Sequence, residues 1–164
     1  MRHAVRAIRR HPDAFKEKYN SDLALLEIFP AIRLEHPSDR IVLHNASVPV
    51  PPNTSVTTSG WGTISAQRTY SEVLRSITVP TISVRRCKRK HNNQMYITNK
   101  NICTYDPRKN KYAGMGDAGN PLVFHNQLIG VLSEYEQNGK PDIFVNLDHP
   151  QHRAWIVTTL LQIA

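Results

Sequence analysis

Met115-Gly116-Asp117-Ala118-Gly119-Asn120-Pro121-Leu122-Val123 reads as a turn running into a strand. Apolar runs recur between turn signals at residues 56–61, 73–84, 121–124, 128–132 and 143–147. Short strands at that spacing predict an antiparallel barrel. Upstream, residues 21–34 read as a further strand, apolar over 23–28 except for Glu27 and closed by Pro30 and Pro37. Residues 36–58 hold Pro37, Pro49, Pro51 and Pro52 without a strong period, which predicts an extended crossing segment. The chain closes with Trp155, Ile156, Thr159, Leu160 and Ile163, spaced as one amphipathic helix after His149-Pro150.

The quoted turn resembles the active-site turn of trypsin-like serine proteases, Gly-Asp-Ser-Gly-Gly-Pro-Leu-Val, with Ala118 at the nucleophile position and Asn120 for the second glycine of the pair. Other segments resemble the same family in the same order. Asn20-Ser21-Asp22-Leu23-Ala24-Leu25-Leu26 is similar to the segment carrying the triad aspartate, which maps to Asp22. Ser59-Gly60-Trp61-Gly62-Thr63 resembles the Gly-Trp-Gly opening of the second barrel. Leu128-Ile129-Gly130-Val131-Leu132-Ser133 and Ala154-Trp155-Ile156 follow in register. The basic N-terminal stretch from Met1 to Arg10 has no apolar core for a signal peptide. With His11, Pro12 and Phe15 it resembles a segment well inside the family's first barrel.

The resemblance implies an all-β fold: a chymotrypsin-like antiparallel β-barrel, with the second barrel largely complete, the first truncated, and a C-terminal α-helix. Residues 1–35 are expected to be a remnant of the first barrel, 36–58 the inter-barrel linker, 59–148 the second barrel and 149–164 the helix. Leu23, Leu25, Ile28 and Ile32 would line a barrel wall with nothing opposite, and a protein partner is expected across that seam.

The resemblance also says what chemistry has been removed. An alanine has no hydroxyl to deprotonate, so Ala118 forms no acyl-enzyme. Asp22 remains as an orienter, and the N–H groups of Gly116 and Ala118 as oxyanion-hole donors, but the family's Ala-Ala-His-Cys histidine is missing. So is the cleaved Ile-Val-Gly-Gly amine that pairs with the aspartate matching Asp117. That carboxylate must find another partner or turn to solvent. In the specificity pocket, Tyr112 stands where trypsins keep an aspartate, Glu134 replaces a tryptophan after Ser133, and Asp142 lies near a wall glycine. Neither cofactor nor metal is implied. The expected function is a non-catalytic homologue that binds a protein partner. The alternatives are an incomplete product without independent function and a residual S1 endopeptidase.

Cys87 and Cys103 are the two cysteines, either two buried thiols or one disulfide. Their register with a family pair favours the disulfide, and the family implies a secreted setting. Asn45-Ala46-Ser47 and Asn53-Thr54-Ser55 are glycosylation sequons that matter only in such a setting. The chain has 164 residues and a formal charge of +8, from 21 Lys+Arg against 13 Asp+Glu, so anionic surfaces attract it. The densest charge is Arg85-Arg86-Cys87-Lys88-Arg89-Lys90, a candidate for heparin-like polymers or simply a solvated helical face. Without an interleaved aromatic it is a poor nucleic-acid site. Arg108-Lys109-Asn110-Lys111 is a lesser basic loop. No apolar run approaches the roughly 18 residues of a membrane-spanning helix, and no membrane association is expected.

Overall fold

The computed structural model describes residues 2–17, 19–36, 39–65, 69–94, 96–108, 110–135 and 139–163. Pro37, Lys109 and the side chain of Ile163, each named above, lie outside the described residues. Two strands, β1 (Ala4–Arg10) and β2 (Ala24–Phe29), form a small antiparallel sheet. Then come β3 (Val42–Leu43), β4 (Ser55–Gly60), β5 (Arg75–Ile82), α1 (Val84–Lys90), β6 (Asn101–Thr104), β7 (Pro121–Phe124), β8 (Gln127–Glu134), β9 (Asp142–Asn146) and α2 (Pro150–Ile163). Strands β4, β5, β6, β9, β8 and β7 pair in that order and β7 returns to β4. The result is a closed six-stranded antiparallel barrel, as the sequence predicts. Strand β3 lies parallel to the start of β8.

Alternation puts the barrel interior together. Val56 from β4, Val79 from β5, Leu122 from β7, Ile129 and Leu132 from β8 and Phe144 from β9 form one buried cluster. Strand β9 is buried on both faces. Phe144 points into the barrel, while its neighbours Ile143 and Val145 point outward into two further clusters. Ile143 packs with Ile82, Cys87, Ile97 and Cys103 beside α1. Val145 packs with Leu147, Ile156 of α2 and Leu23 from the N-terminal segment.

Helix α1 is capped by Ser83, whose hydroxyl accepts the Arg86 N–H. Its inward residue, Cys87, is disulfide-bonded to Cys103 of β6. Closing a loop of this length contributes about 3 kcal/mol in the chain-entropy account. In α2 the buried stripe is His152, Ile156 and Thr159. Leu160, expected on that stripe, is exposed.

The N-terminal sheet stands apart from the barrel but is tied to it. Asn101 donates to the Tyr19 carbonyl at 2.9 Å, Thr98 to the Asn20 side chain at 2.9 Å, and Lys100 pairs with Glu17 at 2.6 Å. His11 packs edge-on against Trp155 and His152 of α2.

Three details differ from the sequence reading. Strand β2 covers residues 24–29 rather than 21–34: before it the Leu23 N–H turns back to the Ser21 carbonyl, and after it Pro30 has no N–H to continue the ladder. The expected linker contains β3 and the first residues of β4, so barrel strands begin at Ser55. The uncovered apolar wall is also differently composed. Leu23 is buried against α2, whereas Val5, Ile8, Leu26 and Phe29 are 53%, 52%, 56% and 61% exposed. Ile8 and Leu26 are cross-strand partners and therefore share a side of the sheet. Leu25 and Ile28 are half-buried, and Ile32 is exposed beyond the strand.

Where the N-terminal segment meets α2, three histidines converge. His11 and His149 flank His152 at ring distances of 5.6 and 5.2 Å. The ring of His152 donates from Nδ1 to the Asn146 carbonyl and faces the Ser21 hydroxyl. Burial lowers the pKa of all three below 6.5; Asp13 and Glu17 oppose this at His11, and Lys100 reinforces it throughout. A base whose folded pKa is depressed takes its proton first in the unfolded chain. Stability is therefore full above pH 6.5 and falls as pH drops below it. Urea denaturation between pH 7.5 and 5 is expected to show this slope, reduced in His149→Gln; a flat profile would contradict it.

Candidate functional site: a serine protease turn without its serine

Strand β7 is preceded by the turn quoted at the outset. Gly116 and Gly119 have φ of +93° and +87°, the left-handed conformation that glycine adopts without strain. The Gly119 N–H donates to the Leu132 carbonyl at 2.8 Å and the Leu132 N–H to the Asn120 carbonyl at 2.9 Å, which fastens the turn to β8. Thr63 holds the other side, bonding Met115 through both its backbone N–H and its hydroxyl. Ala118 stands exposed on this framework. Among the described residues, the N–H groups of Gly116 and Ala118 donate to no internal acceptor, so both remain free for an incoming oxygen.

Asp117 does not turn to solvent. Its Oδ1 accepts the Gly62 N–H and the Asn120 side-chain amide, and its Oδ2 accepts the Gly114 N–H, each at 2.8 Å. Three donors on one carboxylate replace the cation that the resemblance calls for. A methyl group at Gly60 or Gly62 would overlap the Asp117 carboxylate, and at Gly60 the Asn120 amide as well. The Gly-Trp-Gly segment and Asn120 are therefore parts of one cradle. A recess of about 180 Å³ opens beside it, lined by Thr58, Gly60, Arg75, Tyr112, Asp117 and Asn120 among others.

Asp22 is exposed and accepts the Ser133 hydroxyl at 2.7 Å. The fold thus brings together the segment before β2 and the end of β8. Four of the eight histidines are engaged elsewhere: His3 with the Pro30 carbonyl, His44 with Asp148, His91 with the Pro141 carbonyl and His152 with the Asn146 carbonyl. Among the described residues none donates to Asp22. Among the described residues, the arrangement pairs the Asp22 carboxylate with Ser133 and leaves the Gly116 and Ala118 N–H groups without an internal acceptor, beside a side chain at Ala118 that carries no hydroxyl.

Of the expected pocket positions, Asp142 bonds the residue after Tyr112, Glu134 pairs with the residue after Asp142, and Ser133 bonds Asp22. Tyr112 is 42% exposed and borders the recess rather than filling a pocket. Asp142 is buried in β9 and accepts the Ala113 N–H at 2.9 Å, which ties the segment leading to the turn to that strand. Glu134 lies half-buried at the end of β8, opposite Ile143. Asn120 was legible in the sequence only as a departure from the family turn; its bond to Asp117 was not foreseen.

Replacing Asn120 by a leucine of similar size removes one charge-assisted hydrogen bond from Asp117. Asn120→Leu is expected to lose about 1.5–3 kcal/mol in chemical denaturation. Amides at 116–119 should also exchange faster. Unchanged stability and exchange would show that the two backbone donors suffice.

The comparisons agree with this geometry. A family model described as Trypsin matches residues 2–156. Trypsin 5G1 of Aedes aegypti is 30% identical over 146 residues, covering 87% of this chain and 55% of its own. Human cathepsin G is 30% identical over 158 residues, covering 96% and 60% respectively. The chain therefore spans a little over half the length of these relatives. In fold it is similar to a scabies mite inactivated protease paralogue, with a TM-score of 0.76 at 23% identity, covering 96% of this chain and 68% of that one. With the closed barrel and the protease turn in place, the family match makes this chain a member of the trypsin family of serine protease homologues.

Proposed function

We propose that the chain is a non-catalytic serine protease homologue that works by binding a protein partner. The observation that carries this reading is Ala118, exposed on a turn whose framework is otherwise held in place. Loss of the nucleophile alone costs about a millionfold in a protease of the same logic. A structural neighbour described as an inactivated protease supplies a precedent on this fold. The partner covers the apolar side of the N-terminal sheet on which Val5, Ile8 and Leu26 stand exposed, next to unpaired strand edges. Its setting is an oxidising, extracellular one, in keeping with the Cys87–Cys103 disulfide. The same exposed face favours the second reading, an incomplete product with no function of its own.

The chain is expected to hydrolyse no trypsin-, chymotrypsin- or elastase-type peptide and to take no fluorophosphonate label. Ala118→Ser is expected to stay inactive, because a restored hydroxyl still lacks a base. Labelling and turnover by that variant would overturn the reading.

Light scattering is expected to give a mass above that of the 18.7 kDa chain unless a partner is bound. Ile8→Lys with Leu26→Lys, cross-strand partners on that side, should return the monomer. A monodisperse wild-type monomer with exchange-protected amides at 23–28 would show that the face needs no cover. A chain that melts without cooperativity, alone and with every candidate partner, would favour the second reading.

A further inference from the structure

The basic helix α1 divides its charges between two faces. With 3.6 residues per turn, Lys88, Arg85 and Arg89 fall within about 100° of arc. Arg86 and Lys90 fall on the adjoining arc, above the ring of Tyr105 at 5.8 and 3.9 Å from its centroid. Cys87 points inward to its disulfide. Arg85 and Arg89 are exposed, and with Lys88, Val84 and Asn93 they line a shallow recess. Among the described residues, none of the five cations forms a salt bridge with a carboxylate. The helix also has no acid in its first turn.

A charge run on an ordinary solvated helix is mobile and interleaved with acids. This one is neither. Ser83 caps its start, the disulfide holds its centre, and the N–H groups of His91 and Asn93 close its last carbonyls. A braced backbone holds the three cations in register, so that only their side-chain rotamers are left to order when an anion arrives. We infer that the face formed by Arg85, Lys88 and Arg89 is a binding site for a sulfated polysaccharide. Nucleic acid fits less well, since Tyr105, the aromatic ring within the patch, is buried and capped by Lys90 and so offers no face for a base. This inference does not depend on the proposed protein partner or on the state of the turn.

The test uses the whole chain and a size-defined heparin oligosaccharide. Neutralising three cations of one face removes their share of released counterions. The variant with Arg85→Ser, Lys88→Ser and Arg89→Ser is expected to bind on the order of 10–100-fold more weakly at 0.15 M salt, with a shallower salt dependence. A control with Arg40→Ser, Arg108→Ser and Lys111→Ser carries the same net charge and should bind nearly as the wild type does. Equal losses in the two variants would overturn the site in favour of diffuse charge. Equal affinity for a single-stranded DNA of matched charge would overturn the sulfated ligand. Should the helix variant fail to fold, acetylation of the wild type decides: heparin should protect Lys88 more than Lys111, and equal protection would refute the inference.

Discussion

The Asp117 carboxylate collects three N–H donors from three parts of the chain: Gly62 after β4, Gly114 within the same turn, and the Asn120 side chain. A half-buried carboxylate without such donors would be costly to keep inside. With them it pins the turn inward, and the N–H groups of Gly116 and Ala118 stay clear of internal bonds. The bareness of Gly60 and Gly62 follows from this, since any side chain there would occupy the carboxylate's place. In the family this resembles, a cleaved amine has that task. Here the Asn120 amide adds an uncharged donor to the two backbone N–H groups.

A second constraint comes from β9. Its outward residues need cover on both sides, and the chain supplies it twice, through α1 and through α2 with Leu23. The Leu23 contact draws the N-terminal segment onto the barrel. The Glu17–Lys100 pair and the Asn20 and Asn101 side chains then fix its path. Asp22 comes to rest within hydrogen-bond reach of Ser133 as a result. The cost falls on the sheet beyond, where the apolar side chains of β1 and β2 face outward with nothing against them.

The proposed role and the geometry meet at this turn. Its framework is held by Thr63, by Leu132 and by the Asp117 cradle, and the side chain it presents at Ala118 carries no hydroxyl. Recognition, as proposed, would draw on the exposed turn, the exposed apolar residues of the N-terminal sheet and the disulfide-braced basic helix, none of which depends on a group that must change protonation during a reaction.

The sequence by itself determined the barrel, set the two cysteines in register with a family pair and put Ala118 in the turn. Strand alternation is a local signal, two cysteines in register with a family pair leave little choice, and Ala118 is read directly from its turn. Local pattern could not say where Asp117 would point, because its donors lie 55 residues away at Gly62 as well as three away at Asn120. Nor could it sort Leu23 from Leu26, both apolar in one run: burial of the first depends on α2, more than a hundred residues later. The faces of α1 were in the same position. Helical spacing allowed two stripes, and Cys87 and Tyr105 chose which cations turn outward. In each case a long-range contact, which carries no periodicity of its own in the sequence, settled between alternatives that local propensity left equal.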